Sequence, residues 1–327
     1  MAWYVGCASS DLRSAPLSYT LLDTPIVLFR SEGGCATALL DRCAHRNIPL
    51  SEGSVVDSRL ECRYHGWQYD GRGHCVKIPG LPPDVFRENR TVPKFATAEQ
   101  DGLVWVYSAP NVDPSCRPFP LPTLEKGATE VRRVLDVAAP MQPALENFLD
   151  VPHTGVLHHG LFRGNREPRR IKVRVSRTSQ GVQAAYFGEA RPAGWAARIL
   201  SPETGELIHV DRFILPSIAQ IEYRLASAYF LVSALCVPVT DALTRIFAVI
   251  QFRTRLPGVL VKLLLNPIAT RIFEQDASIL KSQADALRRW GGEHCTSTSI
   301  DVLGLQIARL LRGDEVTDWT HEIEMEI

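Results

Sequence analysis

Cys43-Ala44-His45-Arg46 and, with sixteen residues between His45 and Cys62, Cys62-Arg63-Tyr64-His65-Gly66-Trp67 decide how the first part of this chain folds and what it holds. Two thiolates and two imidazoles can bind either a zinc ion or a [2Fe–2S] cluster. Zinc ligands usually come as like pairs, C-x2-4-C and H-x3-5-H. Here each half-motif is mixed, with one cysteine and one histidine on each of two loops. A cluster whose second iron carries two histidines in place of two cysteines needs that arrangement. Cys43, His45, Cys62 and His65 are therefore the expected cluster ligands. His74 and Cys75, which follow the second loop, read as structural.

The surrounding sequence reads as β structure. Ile26-Val27-Leu28-Phe29 and Val104-Trp105-Val106-Tyr107 are short apolar runs of strand length. Asp70-Gly71-Arg72-Gly73 separates Trp67-Gln68-Tyr69 from Cys75-Val76-Lys77-Ile78 and predicts a hairpin turn. Five prolines, at 110, 114, 118, 120 and 122, mark a linker. A chain of 327 residues has room for about two domains. The expected domains are a cluster-binding one over 1–120 and a catalytic one over 121–327.

Beyond the linker, Val131–Val137, Ile171–Ser176, Leu207–Leu215, Ile218–Tyr223, Tyr229–Val237 and Ile246–Phe252 read as strands. Pro143–Leu149 reads as a helix start, because proline is tolerated in a first turn. Ile272, Phe273, Ile279, Leu280 and Leu287 form a helical stripe from Arg271 to Trp290. The fold class is α+β: an all-β N-terminal domain, then an antiparallel sheet with C-terminal helices packed on it. Leu256–Ile268 is too short to span a bilayer and carries Lys262, so a core helix is expected there, with a membrane-surface helix as the other reading. Thirty-six Lys and Arg balance 36 Asp and Glu, which argues against a nucleic-acid surface. Eight scattered cysteines without a secretory leader at the start of the sequence point to a reducing, cytoplasmic setting.

A second constellation lies in Asn147-Phe148-Leu149-Asp150-Val151-Pro152-His153-Thr154-Gly155-Val156-Leu157-His158-His159. Two histidines and one carboxylate on one face of a metal make the site of non-haem Fe(II) oxygenases. Five positions along an ideal helix would set His153 and His158 about 140° apart. Pro152 and Gly155 break the helix, so a distorted turn can bring both to one ion.

The two half-motifs, with Tyr64, Gly66 and Trp67, resemble the Rieske domain of ring-hydroxylating oxygenases. N-x2-D-x2-H-x4-H resembles the mononuclear iron motif of the same family, in the branch of the dicamba, vanillate and pheophorbide a enzymes. The resemblance covers nearly the whole chain and implies a helix-grip, START-like catalytic domain. It implies a mononuclear iron held by His153, His158 and an Asp on a late helix. Asp276 in Phe273-Glu274-Gln275-Asp276 lies where that helix is expected, with Glu274 as runner-up and Asp285 and Asp301 behind. The x4 spacing favours His158 over His159. Asp150 is implied as a bridge from His153 to His65 of a neighbouring subunit, which in turn implies a homotrimer. Asn147 is implied to sit near the iron, although a plain helix-start polar residue reads equally well. Respiratory-type Rieske proteins carry an extra cysteine in each loop; Ile48 and Tyr64 occupy those positions here.

The function expected from this resemblance is a terminal monooxygenase that uses O2 to hydroxylate or demethylate a hydrophobic, small-molecule substrate. Electrons are expected to come from a flavin or ferredoxin reductase. The chain has no G-x-G-x-x-G dinucleotide site, so NAD(P)H would act only through that partner. The alternative is a non-enzymatic electron carrier fused to a lipid-binding-like domain. Phe148, Phe162, Trp195, Tyr223 and Phe247 are candidates to line a substrate pocket.

Overall fold

The computed structural model describes residues 1–82, 90–159, 170–189, 207–225, 228–254, 257–292, 295–314 and 317–326. Phe162 and Trp195 lie outside them. The chain divides into two compact units, Met1–Leu121 and Pro122–Ile327.

The first unit contains a six-stranded antiparallel sheet made of β1 (Trp3–Ala8), β10 (Leu103–Pro110), β9 (Lys94–Gln100), β4 (Ala36–Leu40), β3 (Thr24–Arg30) and β2 (Leu17–Leu21), in that order. Ile26–Phe29 is buried along its whole length, as its unbroken apolar run requires. A smaller sheet follows the order β5 (Ser54–Val56), β6 (Arg59–Glu61), β7 (Gln68–Tyr69), β8 (Cys75–Lys77). One apolar cluster joins Val27, Phe29 and Leu39 of the large sheet to Leu50, Leu60 and Tyr69, and it includes Cys43 and Cys62. The cysteines are thus fixed by the core itself.

The second unit is built on an eight-stranded antiparallel sheet. Its order is β11 (Thr129–Val137), β17 (Leu243–Arg253), β16 (Ala228–Thr240), β15 (Ile218–Leu225), β14 (Leu207–Ile214), β13 (Gly181–Phe187), β12 (Arg170–Thr178), β18 (Trp319–Glu326). Successive side chains alternate between faces. Register therefore aligns Val173, Tyr186, His209, Tyr223, Phe230 and Phe252 in one row across the sheet. Three helices carry apolar residues into the cores on that face: α1 (Met141–Phe148), α2 (Gly258–Trp290) and α3 (Gly304–Arg312). Leu145 of α1, Leu280 and Ala284 of α2, and Ile307 and Leu310 of α3 share one core with Val173, Tyr186, Phe213 and Ile246. Gly258 seats the start of α2, because a Cβ there would meet Thr129 Oγ1 of β11 at 2.1 Å.

The structure changes three expectations. Leu256–Ile268 is not a separate helix; its described part belongs to α2, which runs for 33 residues with Pro267 inside it and meets the core through Val261. Among the described side chains of its first turns Val261 alone is fully buried, while Val259 (78%), Leu260 (49%) and Leu263 (73%) are exposed, since a helix offers only one stripe to a sheet. Phe247 is buried, but Ile246, Ala248, Ile250 and Phe252 take the helix-bearing face of β17 and leave Phe247 on the other. β13, α3 and β18 were not foreseen. Among the described residues no helix is long and apolar enough to cross a membrane.

Candidate metal centres

The two half-motifs fold into equivalent loops. Cys43 N–H donates to the Ile48 carbonyl (2.9 Å), and the Cys43 carbonyl accepts from Asn47 N–H (3.0 Å). Cys62 N–H donates to the Trp67 carbonyl (2.8 Å), and the Cys62 carbonyl accepts from Gly66 N–H (2.9 Å). Each loop needs a left-handed residue four positions after its cysteine, supplied by Asn47 (φ 60°) and Gly66 (φ 68°). Cys43 and Cys62 are buried, and burial pushes the Cys62 thiol up.

The His45 and His65 rings lie 4.5 Å apart, and His45 stacks on Trp67 at 4.7 Å, nearly parallel. His45 Nδ1 is buried with no protein partner. Two adjacent buried thiols, two neighbouring imidazoles and an unpartnered ring nitrogen fit a [2Fe–2S] cluster. Tyr69 was not singled out from sequence. Its oxygen accepts from Ala44 N–H (3.1 Å), which leaves its own proton to donate to Cys43 Sγ (3.2 Å). His74 is exposed beside Asp70 (3.5 Å), and Cys75 packs on the core.

The second centre forms where α1 ends. Pro152–Gly155 is a single 3-10 turn, and the His153 carbonyl accepts from Val156 and Leu157 N–H (3.0 and 2.8 Å). That turn brings His153 Nε2 to 3.3 Å from His158 Nε2. Asp276 Oδ1, from the middle of α2, lies 3.1 Å from His158 Nε2 and 3.6 Å from His153 Nε2. Metal bonds of about 2.1 Å at right angles put neighbouring donor atoms about 3.0 Å apart. The triangle is close to that size and fits the facial two-histidine, one-carboxylate set. Asp276 Oδ1 is buried without an aligned donor. Burial pulls the His153 imidazole down, but Asp150 and Asp276 outweigh it and raise it to about 9. The carboxylates thus favour a cation at this point.

The remaining candidates separate clearly. Asp150 Oδ2 stands 3.4 Å from His153 Nδ1, off the line of a hydrogen bond. The Asn147 carbonyl accepts from Asp150 N–H (3.3 Å) at the end of α1. His159 and Glu274 are exposed. Asp285 pairs with Lys281 and Arg288, and Asp301 accepts from Thr298 N–H. Phe148 packs on both apolar clusters of the sheet.

Sequence reasoning also missed a polar cluster inside the sheet. His209 Nδ1 lies 2.6 Å from Glu189 Oε2, and its Nε2 lies 3.0 Å from Asp211 Oδ1. Its ring is stacked between Tyr186 (4.4 Å) and Tyr223 (4.0 Å). The signal was His-Val-Asp in a strand, two polar residues on one face, which sequence alone does not assign to the interior.

Residues 2–96 match the Rieske [2Fe-2S] domain, and residues 137–313 match the vanillate O-demethylase oxygenase C-terminal domain. This chain belongs to the Rieske non-haem iron oxygenases. Among relatives of this Rieske oxygenase chain, Protein TIC 55, chloroplastic, of Arabidopsis thaliana is 30% identical over 88% of this chain and 54% of its own length. The dicamba O-demethylase oxygenase component of Stenotrophomonas maltophilia is 42% identical over 32% of this chain and 31% of its own. The chain spans about half the length of the first of these. In fold it is similar to dicamba monooxygenase bound to 3,6-dichlorosalicylic acid, with a TM-score of 0.80, 23% identity, and 95% and 96% of the two chains covered.

Proposed function

We propose that this chain is a terminal monooxygenase that hydroxylates, or oxidatively demethylates, a hydrophobic small molecule. One observation carries the reading: His153 Nε2, His158 Nε2 and Asp276 Oδ1 converge within 3.1–3.6 Å on a chain that also presents the Cys43, His45, Cys62, His65 set. An electron carrier with a lipid-binding domain has no use for that triangle.

Cys43 and Cys62 would hold one iron of the cluster, and His45 and His65 the other. His153, His158 and Asp276 would hold the mononuclear iron. When bound, the cluster supplies one-electron transfer and the ferrous ion activates O2 for insertion into a C–H bond. The protein's residues do the rest. Asp150 fixes the His153 ring and bridges to His65 of a neighbouring subunit, in a homotrimer. Asn147 would lie near that iron. The apolar part of the helix-bearing face of the sheet binds the substrate and excludes water. A reductase, flavin- or ferredoxin-linked, delivers electrons drawn from NAD(P)H. Hydroxylation of a methoxy carbon consumes one O2, two electrons and two protons; it releases the alcohol, formaldehyde and water. All eight cysteines are unpaired, which suits a reducing, cytoplasmic setting.

Iron analysis of anaerobically purified protein tests the reading. Close to three irons per chain are expected, falling to two in His153→Ala. Two irons in both proteins would support the electron carrier instead.

A further inference from the structure

The two metal-facing histidines are held differently on their outer sides. A ring that gives a metal its Nε2 lone pair must carry its proton on Nδ1, and that proton needs an acceptor. His153 Nδ1 has the Asp150 carboxylate at 3.4 Å, poorly aligned. His158 Nδ1 has Gln275 Oε1 at 2.9 Å, a well-formed bond. His158 is 2% exposed, so water does not compete for that nitrogen. Gln275 directly precedes Asp276 on α2. Its side chain forms part of the wall of an open groove of about 420 Å³ that runs past Leu157, Arg271 and Ser278.

We infer that Gln275 is a positioning residue for the mononuclear metal: its Oε1 accepts the His158 Nδ1 proton and so keeps the Nε2 lone pair aimed at the point shared with His153 and Asp276. The inference rests on the metal reading above. It assigns a neutral acceptor to one histidine and a charged one to the other. His158 then binds in one tautomer and one ring orientation. The arrangement also couples two functions on adjacent residues of one helix. Gln275 orients a ligand that belongs to the α1 turn, and Asp276 is itself a ligand.

The test compares wild type, Gln275→Leu and Gln275→Glu by competing a ferrous chelator against the mononuclear iron of the loaded protein. Visible absorbance reports that the cluster is intact, and EPR of the nitric oxide adduct reports the ligand field. Gln275→Leu is expected to weaken iron binding by roughly 10- to 100-fold and to alter the nitrosyl line shape, with the cluster spectrum and thermal midpoint kept. Gln275→Glu retains an acceptor and should restore binding to within a few-fold of wild type. Unchanged affinity in the Leu variant would overturn the inference, as would a Glu variant as weak as Leu. Wild-type protein that holds only the two cluster irons would overturn the metal reading itself, a result separable from either variant outcome.

Discussion

Asn47 and Gly66 occupy the same place in the two cysteine-bearing loops: each donates its N–H to the carbonyl of the cysteine four residues earlier, from a left-handed backbone. The two are not equally replaceable. A Cβ on Gly66 would meet Pro79 Cγ at 2.9 Å, and a left-handed non-glycine costs about 1–2 kcal/mol. Gly66→Ala should therefore purify with less cluster per chain and a lower thermal midpoint. Asn47→Gly, which relaxes the same geometry, should retain both. Full cluster content in Gly66→Ala would remove the argument.

Tyr69→Phe should lower the reduction potential of the cluster without changing its occupancy. The hydroxyl donates to Cys43 Sγ, and the reduced cluster, with more charge on sulfur, is the better acceptor. A difference of about 1 kcal/mol between the two redox states corresponds to roughly 40 mV for a one-electron couple. Spectroelectrochemical titration of the two proteins measures it.

Asp150→Asn should keep three irons per chain and lose turnover. The side chain is no ligand in the proposed set, but its carboxylate faces His153 Nδ1. Single-turnover measurements with pre-reduced protein separate the effects: cluster reduction stays normal while its reoxidation by O2 and substrate stalls. Wild-type turnover in this variant would dismiss Asp150 as an electron bridge.

His209 should make the sheet pH-sensitive on the alkaline side. Burial pulls this imidazole down, but Asp211 and Glu189 outweigh it and raise it to about 9. The faces of the ring are closed by Tyr186 and Tyr223, and Asp211 is buried beside it. A raised folded-state value means the protonated form stabilises the fold. That contribution is complete below the unfolded value near 6.5 and is lost as pH rises through about 9. It is on the order of 3 kcal/mol. The denaturant midpoint of wild type should fall between pH 7 and 10 more steeply than that of His209→Gln. Parallel curves for the two proteins would exclude His209 as the source.

What the sequence disclosed and what it withheld differ by chain distance. Cys43, His45, Cys62 and His65 are legible because each ligand pair sits within one tight loop, where spacing constrains geometry. His153 and His158 are legible for the same reason, through one turn shaped by Pro152 and Gly155. Gln275 is invisible from sequence because its partner is 117 positions away. Tyr69 resembles any strand tyrosine until the hairpin folds it under Cys43. β18 pairs with β12 across most of the second unit, a register that local alternation cannot announce. The first turns of α2 show the converse limit: apolar composition proposes burial, but among the described side chains the available contact stripe takes Val261 and leaves Val259, Leu260 and Leu263 exposed.

Asp276 is fixed in rotational phase as well as in position. It lies eighteen residues into a helix whose first residue, Gly258, is wedged against Thr129. Each residue of an α-helix advances the chain 1.5 Å and turns it by about 100°. A single insertion or deletion between Gly258 and Asp276 would therefore swing the carboxylate away from both histidines. A whole-turn change would restore the phase but carry the carboxylate about 5.4 Å along the helix axis, so phase and position together fix the length of this stretch. The first half of α2 thus acts as a ruler that meters where the third ligand points.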